Sequence, residues 1–292
     1  MYRGYKISID GHLFIEKENK GMCFPRKSVN KFDFYEKLGR SLFSDVVNQA
    51  DNSLRKYISE DGILKGDVIQ DAWFPKLKGK FDVFISHSHN DENLAFAFAG
   101  WLNEKFKLRC FLDKYVWNSA DGLIRKLDDL CRRPEKRGYD YKDRNMTTSQ
   151  VHAMLTSAIM QEIDDCDALF LLNTPEAVNV IDEVHEYTLS PWIFLEIGLS
   201  KVIEKKWNNP KRQHLSTYSV TAEAAQMRMK LDTSHLTELS DKELHDWLDA
   251  WNAANQCKNL EQYLKKKEDK DPLIILDGQY ELLSKGPDAL YD

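Results

Sequence analysis

Hydrophobic residues recur along the chain with two rhythms. Three short apolar runs lie in KFDVFISHS (80–88), LRCFLDKY (108–115) and DALFLLNTP (167–175). They are too short for helices and read as buried strands, the last ended by Pro175. Other segments repeat at helical spacing. ENLAFAFAGWLNEKF places Leu94, Phe98 and Leu102 four apart, after the candidate caps Asn90 and Asp91. Strand, helix and strand over about 35 residues make a βαβ unit, and hence a parallel sheet. TSQVHAMLTSAIMQEIDDCD repeats Val151, Leu155, Ile159 and Ile163 and predicts a second helix. SPWIFLEIGLSKVIEKK predicts another, with Ser190 as N-cap and Pro191 in its first turn. SDKELHDWLDAWNAANQ opens on a capping box, Ser240 and Glu243, and turns Leu244, Trp247, Leu248 and Trp251 to one face.

The ends are less regular. YKISIDGHLFIE alternates around Asp10-Gly11, which predicts a hairpin, and Phe32 to Ser59 turns helical through Tyr35, Leu38, Leu42 and Val46. Glycines and a proline then suggest a boundary near residue 78. The expected organisation is an N-terminal extension of hairpin plus helix (1–78), an α/β core (79–206) with a charged insertion (131–149), and a mostly helical C-terminal part (207–292) packed on the core. HLSTYSVT reads as a strand, DPLIILDG as a last edge strand or packed tail, and KKKEDKD as a solvated helix end.

Composition narrows the classes. The chain has 292 residues, 42% of them hydrophobic, enough for a full core. A net charge of −6 argues against a dedicated nucleic-acid binder, which needs a basic face. Five cysteines, scattered without metal or redox spacing, read as free thiols in a reducing cytoplasm. The start lacks the apolar run of a secretory signal, and no stretch approaches the length of a membrane span.

Candidate chemistry centres on Glu196, which lies in the apolar run SPWIFLEIGL. A carboxyl there needs a partner, a raised pKa or a task. It serves either as internal partner to a buried cation or amide, or as a reacting group. Ser86 and Ser88 follow the first strand, where they either line a cleft or close the strand and cap the next helix. His87 and His89 stand near Asp91, but no further ligand lies at metal spacing, so no metal site is expected. His152 and His185 stand alone, and Trp247 and Trp251 have the spacing of core residues.

Several of these segments together resemble bacterial Toll/interleukin-1 receptor (TIR) domains. FDVFISHSHND is similar to that family's first strand and following loop. FLDKYVWNSADGLIRKL resembles its second strand, BB loop and next helix, with Ala120-Asp121-Gly122 in place of the usual proline-glycine. DALFLLNTP resembles the third strand. SPWIFLEIGL resembles the element in which a tryptophan precedes a glutamate by four residues. The resemblance spans residues 80–206 and implies a flavodoxin-like, doubly wound parallel sheet with mainly helical extensions at both ends.

The resemblance also implies an activity: hydrolysis or cyclisation of NAD at the nicotinamide–ribose bond, in an intracellular defence or signalling effector. NAD or a related nucleotide would be substrate, not cofactor, and copies would associate through TIR surfaces. Glu196 then aligns with the catalytic glutamate. Ser86, His87, Ser88 and Asp113 are expected to line the cleft at the strand ends, Trp117 to stack on a ring, and Trp192 to pack beside the glutamate. Two alternatives remain: a TIR module that acts by assembly alone, and a nucleoside deoxyribosyltransferase-like enzyme, suggested by the Glu-Ile-Gly at 196–198.

Overall fold

In the computed structural model, residues 3–18, 27–44, 54–60, 64–76, 81–113, 117, 120–131, 141–182, 185–203, 229–256 and 271–284 are described. In chain order the strands are β1 (Arg3–Ser8), β2 (Ile15–Glu18), β3 (Lys27–Asn30), β4 (Val83–Ser86), β5 (Cys110–Phe111), β6 (Ala168–Leu172), β7 (Asn179–Asp182), β8 (His185–Thr188), β9 (Met229–Leu231) and β10 (Thr237–Ser240). The helices are α1 (Phe32–Ser44), α2 (Gly66–Trp73), α3 (Glu92–Phe106), α4 (Ala120–Cys131), α5 (Tyr141–Asp165), α6 (Pro191–Val202), α7 (Asp241–Gln256) and α8 (Pro272–Ser284).

Five strands form one parallel sheet in the order β10-β1-β6-β4-β5. Residues in register point to the same face, so Tyr5, Phe170 and Ile85 share one face while Ser86 and Phe84 turn to the other. On the Phe170 face lie α3, through Phe98, and α7, through Trp247, with ring centroids 5.9 and 6.4 Å from Phe170. α1 packs on α3 at a glycine contact: a Cβ on Gly39 would stand 2.0 Å from the Phe96 carbonyl, and one on Gly100 2.1 Å from that of Tyr35. On the opposite face α6 reaches Ser86 through Glu196, and α5 and α4 pack beside it. The fold is thus an α/β sheet covered by helices on both faces.

β4, α3, β6 and the capped start of α6 lie where the apolar pattern puts them. Ser190 Oγ accepts from the Ile193 N–H at 3.2 Å, with Pro191 following. The capping box at α7 also forms: Glu243 accepts from the Ser240 N–H at 2.8 Å, and Ser240 Oγ from that of Lys242 at 3.2 Å.

The N-terminal expectation needs correction. β1 makes no hairpin with β2; it lies inside the sheet between β6 and β10. Asp10-Gly11, with Gly11 at φ 97°, instead leads into a short 3-10 turn at His12–Phe14, and β2 pairs with β3. Lys6, only 6% exposed, is tolerated within the sheet because Glu186 and Glu238 hold its ammonium. β1 is therefore part of the core sheet. The C-terminal part likewise supplies an edge strand, β10, besides helices.

Other local expectations shift. The helix from Phe32 is described only to Ser44. Part of the charged insertion is helical, because α5 starts at Tyr141. DPLIILDG opens α8 rather than a strand, with Leu273 and Leu276 buried and the Trp247 indole N–H bonded to the Pro272 carbonyl at 2.8 Å. HLSTYSVT and most of KKKEDKD lie outside the described residues. Among the described residues no helix is long and apolar enough to cross a membrane.

Candidate active site

Neighbouring strands whose chains leave to opposite faces open a crevice at their carboxyl ends, where α/β sheets bind ligands. β4 leads into α3 on the Phe170 face, while its neighbour β6 leads on to α6 on the other. Ser86 ends β4, and Glu196 comes in from α6. The Ser86 hydroxyl donates to Glu196 Oε2 at 2.6 Å, joining two groups 110 residues apart.

Glu196 is 3% exposed. Burial pushes its carboxyl well above the usual range; the charge of Asp113 adds to this, and the Ser86 hydrogen bond opposes it. This environment favours the protonated acid. Among the described residues its hydrogen-bond partner is a hydroxyl, not a cation or amide.

His87 follows Ser86. Its Nδ1 lies 3.3 Å from the Ile85 carbonyl and donates to it, while Nε2 is buried without a partner among the described residues. Burial pushes the pKa of His87 down, opposed first by Asp113, so the neutral ring is favoured. A neutral ring protonated on Nδ1 leaves Nε2 as an acceptor. The cluster therefore combines a neutral acid, a hydroxyl, a neutral imidazole and the half-buried Asp113.

Two expected contact residues, Ser88 and Trp117, have structural tasks. Ser88 is an N-cap: its Oγ accepts from the Asn90 N–H at 3.4 Å and opens the turn before α3. Asp91 precedes α3 without a side-chain cap bond; its carboxylate instead accepts from the Thr174 hydroxyl. Trp117 is not displayed for stacking. It is 6% exposed, meets Phe74 and Phe111 edge-on, and donates its indole N–H to the Pro75 carbonyl at 3.2 Å. Trp192 is half-buried, with its ring edge-on to His152 at 5.3 Å. Cys110 and Cys166 are free, buried thiols whose pKa values burial raises.

The sequence reading passed over a second polar group. Ser8, Asp10, Asn173, Asp241 and His245 line a cavity of about 480 Å³ at the ends of β1, β6 and β10. Its signal was present but took other meanings: Asp10-Gly11 reads as a turn, and Asp241 hides behind the capping box.

No protein-family model, curated protein or solved structure matches the chain. Fold and site therefore stand on their own geometry: a helix-covered parallel sheet with a buried acid cluster at its carboxyl edge.

Proposed function

We propose that the chain is an NAD glycohydrolase or cyclase of the TIR type, acting in defence or signalling, with Glu196 as the reacting carboxyl. The observation that carries this reading is the Ser86–Glu196 bond at the carboxyl end of β4, beside β6, made by a glutamate without a cationic partner among the described residues. Cleaving nicotinamide from ribose passes through an oxocarbenium-like state. A carboxyl kept neutral at rest gives its proton to water more easily beside that growing positive charge and then stabilises it. Neutral nicotinamide leaves with the bonding pair, and water, or in cyclisation a ring nitrogen of the same substrate, bonds to the ribose carbon, the water's proton passing to solvent. Ser86 orients the carboxyl, while His87 Nε2 offers an acceptor to a ribose hydroxyl.

Incubation of the full chain with NAD, followed by product analysis, tests the proposal. Nicotinamide release is expected, with loss of at least about a hundredfold in Glu196→Gln. Release unchanged in that variant would end the proposal. Base exchange on deoxynucleosides with NAD left intact would assign the deoxyribosyltransferase-like alternative.

The 3% exposure of Glu196 favours a second reading, in which the chain is a TIR module working only by assembly and Glu196 supports its core. That reading expects the activity of the chain in cells to survive Glu196→Gln.

A further inference from the structure

We infer that the carboxyl ends of β1, β6 and β10 form a second binding site, one for a small neutral ligand with adjacent hydroxyls, such as a sugar. Three observations carry this, none of them resting on the role of Glu196. The first is position. β6 is flanked on its other side by β1, whose chain also leaves to the Phe170 face, through α1, so a second crevice opens between them. The cavity there, about 480 Å³, is of a size that holds small molecules.

The second is an unmet acceptor. Asp241 is 6% exposed, and its Oδ2 accepts from the Leu13 N–H at 2.8 Å. Its carboxyl hydrogen-bonds that of Asp10 while one of the two holds a proton, and once both are ionised its buried Oδ1 has no donor among the described residues. A buried acceptor left unpaired is costly, and a ligand hydroxyl supplies what is missing. Burial and the adjoining Asp10 carboxyl push Asp241 up to about 6. Two more acceptors line the same cavity. Asn173 spends its amide N–H on Ser8 Oγ at 2.9 Å, leaving Oδ1. His245 donates Nδ1–H to the Asp241 carbonyl at 2.8 Å, leaving Nε2 in the neutral ring.

The third is charge. Asp10 and Asp241 oppose an anion, and at the start of α7 the backbone N–H groups of Ser240 and Lys242 are already taken by Glu243 and Ser240. Lys242 stands in the same wall and opposes an organic cation. Among the described residues no three metal-ligating side chains converge, which disfavours a metal ion. Hydroxyl groups both donate and accept, so a neutral polyol meets this mixed wall where either charged class meets repulsion.

Saturation-transfer NMR on the full chain tests the inference, with D-ribose as probe and cyclopentanol and inorganic phosphate as controls. Ribose is expected to receive saturation and cyclopentanol none, while the phosphorus line of phosphate stays sharp. Asp241→Asn keeps an oxygen for Leu13 but turns a donor toward Asp10. Ser8→Leu, at an exposed position, narrows the mouth. Each is expected to weaken the ribose signal about tenfold while thermal unfolding shows the fold retained. Absence of ribose saturation, equal saturation of cyclopentanol, broadening of the phosphate line, or a ribose signal surviving in both variants would overturn the inference.

Discussion

A carboxyl whose pKa burial raises makes stability depend on pH, and Glu162 and Glu196 are such groups. Glu162, in α5, is 6% exposed and is pushed up to about 7 by burial first and then by Asp165, against Lys76. Between the ordinary glutamate value, about 4.3, and about 7 the folded chain binds more protons than the unfolded one, so stability falls as pH rises through that window. Glu162→Gln removes the effect. It is expected to flatten that slope and to raise stability at pH 8 by about 1 kcal/mol, after screening by nearby solvent, as read from urea unfolding at several pH values. Glu196 has the same sign. On the proposed chemistry, its ionisation makes nicotinamide release rise with pH, a trend that pH–rate profiles would show or refute. Glu196 and Ser86 were legible in the chain as chemistry-bearing residues in apolar surroundings. The role of Trp117 was not, because an indole that covers a core and one that waits for a ligand are the same letter.

At the scale of elements, the closest packing is between α1 and α3. Gly39 and Gly100 bring the two backbones so near that an added methyl would meet carbonyl oxygen, which cannot rotate away. Gly100→Ala is expected to cost about 3 kcal/mol, lowering the urea midpoint with little change in slope. A fall well below that would mean that the helices separate easily. The periodicity of α3 was readable because its apolar residues are buried, Ala95 to Leu102 without a break. The first turns of α5 were not, because Tyr141–Met146 are mostly exposed and show no apolar rhythm; Arg144 instead reaches Asp128 on α4 at 3.3 Å. The run PLIIL fits strand and helix equally, and the choice was made by packing against α7.

At the scale of the molecule, the sheet is closed by its ends. β1 brings Tyr5 against Phe170 and joins β6 to β10, so residues 3–8 complete a core whose other strands lie far along the chain. A fragment of residues 79–206 is therefore expected to lack a cooperative unfolding transition, and the full chain without residues 1–10 to lose most of its stability. Circular dichroism through a urea series checks both. A sharp transition from the fragment alone would restore the boundary near residue 78.

By itself the sequence determined the β4-α3-β5 unit, β6, the capped starts of α6 and α7, and Glu196 as a misfit in an apolar helix. These are local matters, set by periodicity over a few turns and by caps that bond within three residues. Only the tertiary structure decided that β1 is an inner strand, that Glu196 meets Ser86, and that Asp10 meets Asp241. Lys6 looks like a surface residue until Glu186 and Glu238, 180 and 232 positions away, neutralise it. Such pairings carry no period and no spacing. They arise when strands distant in the chain become neighbours and burial demands that each polar group find its partner.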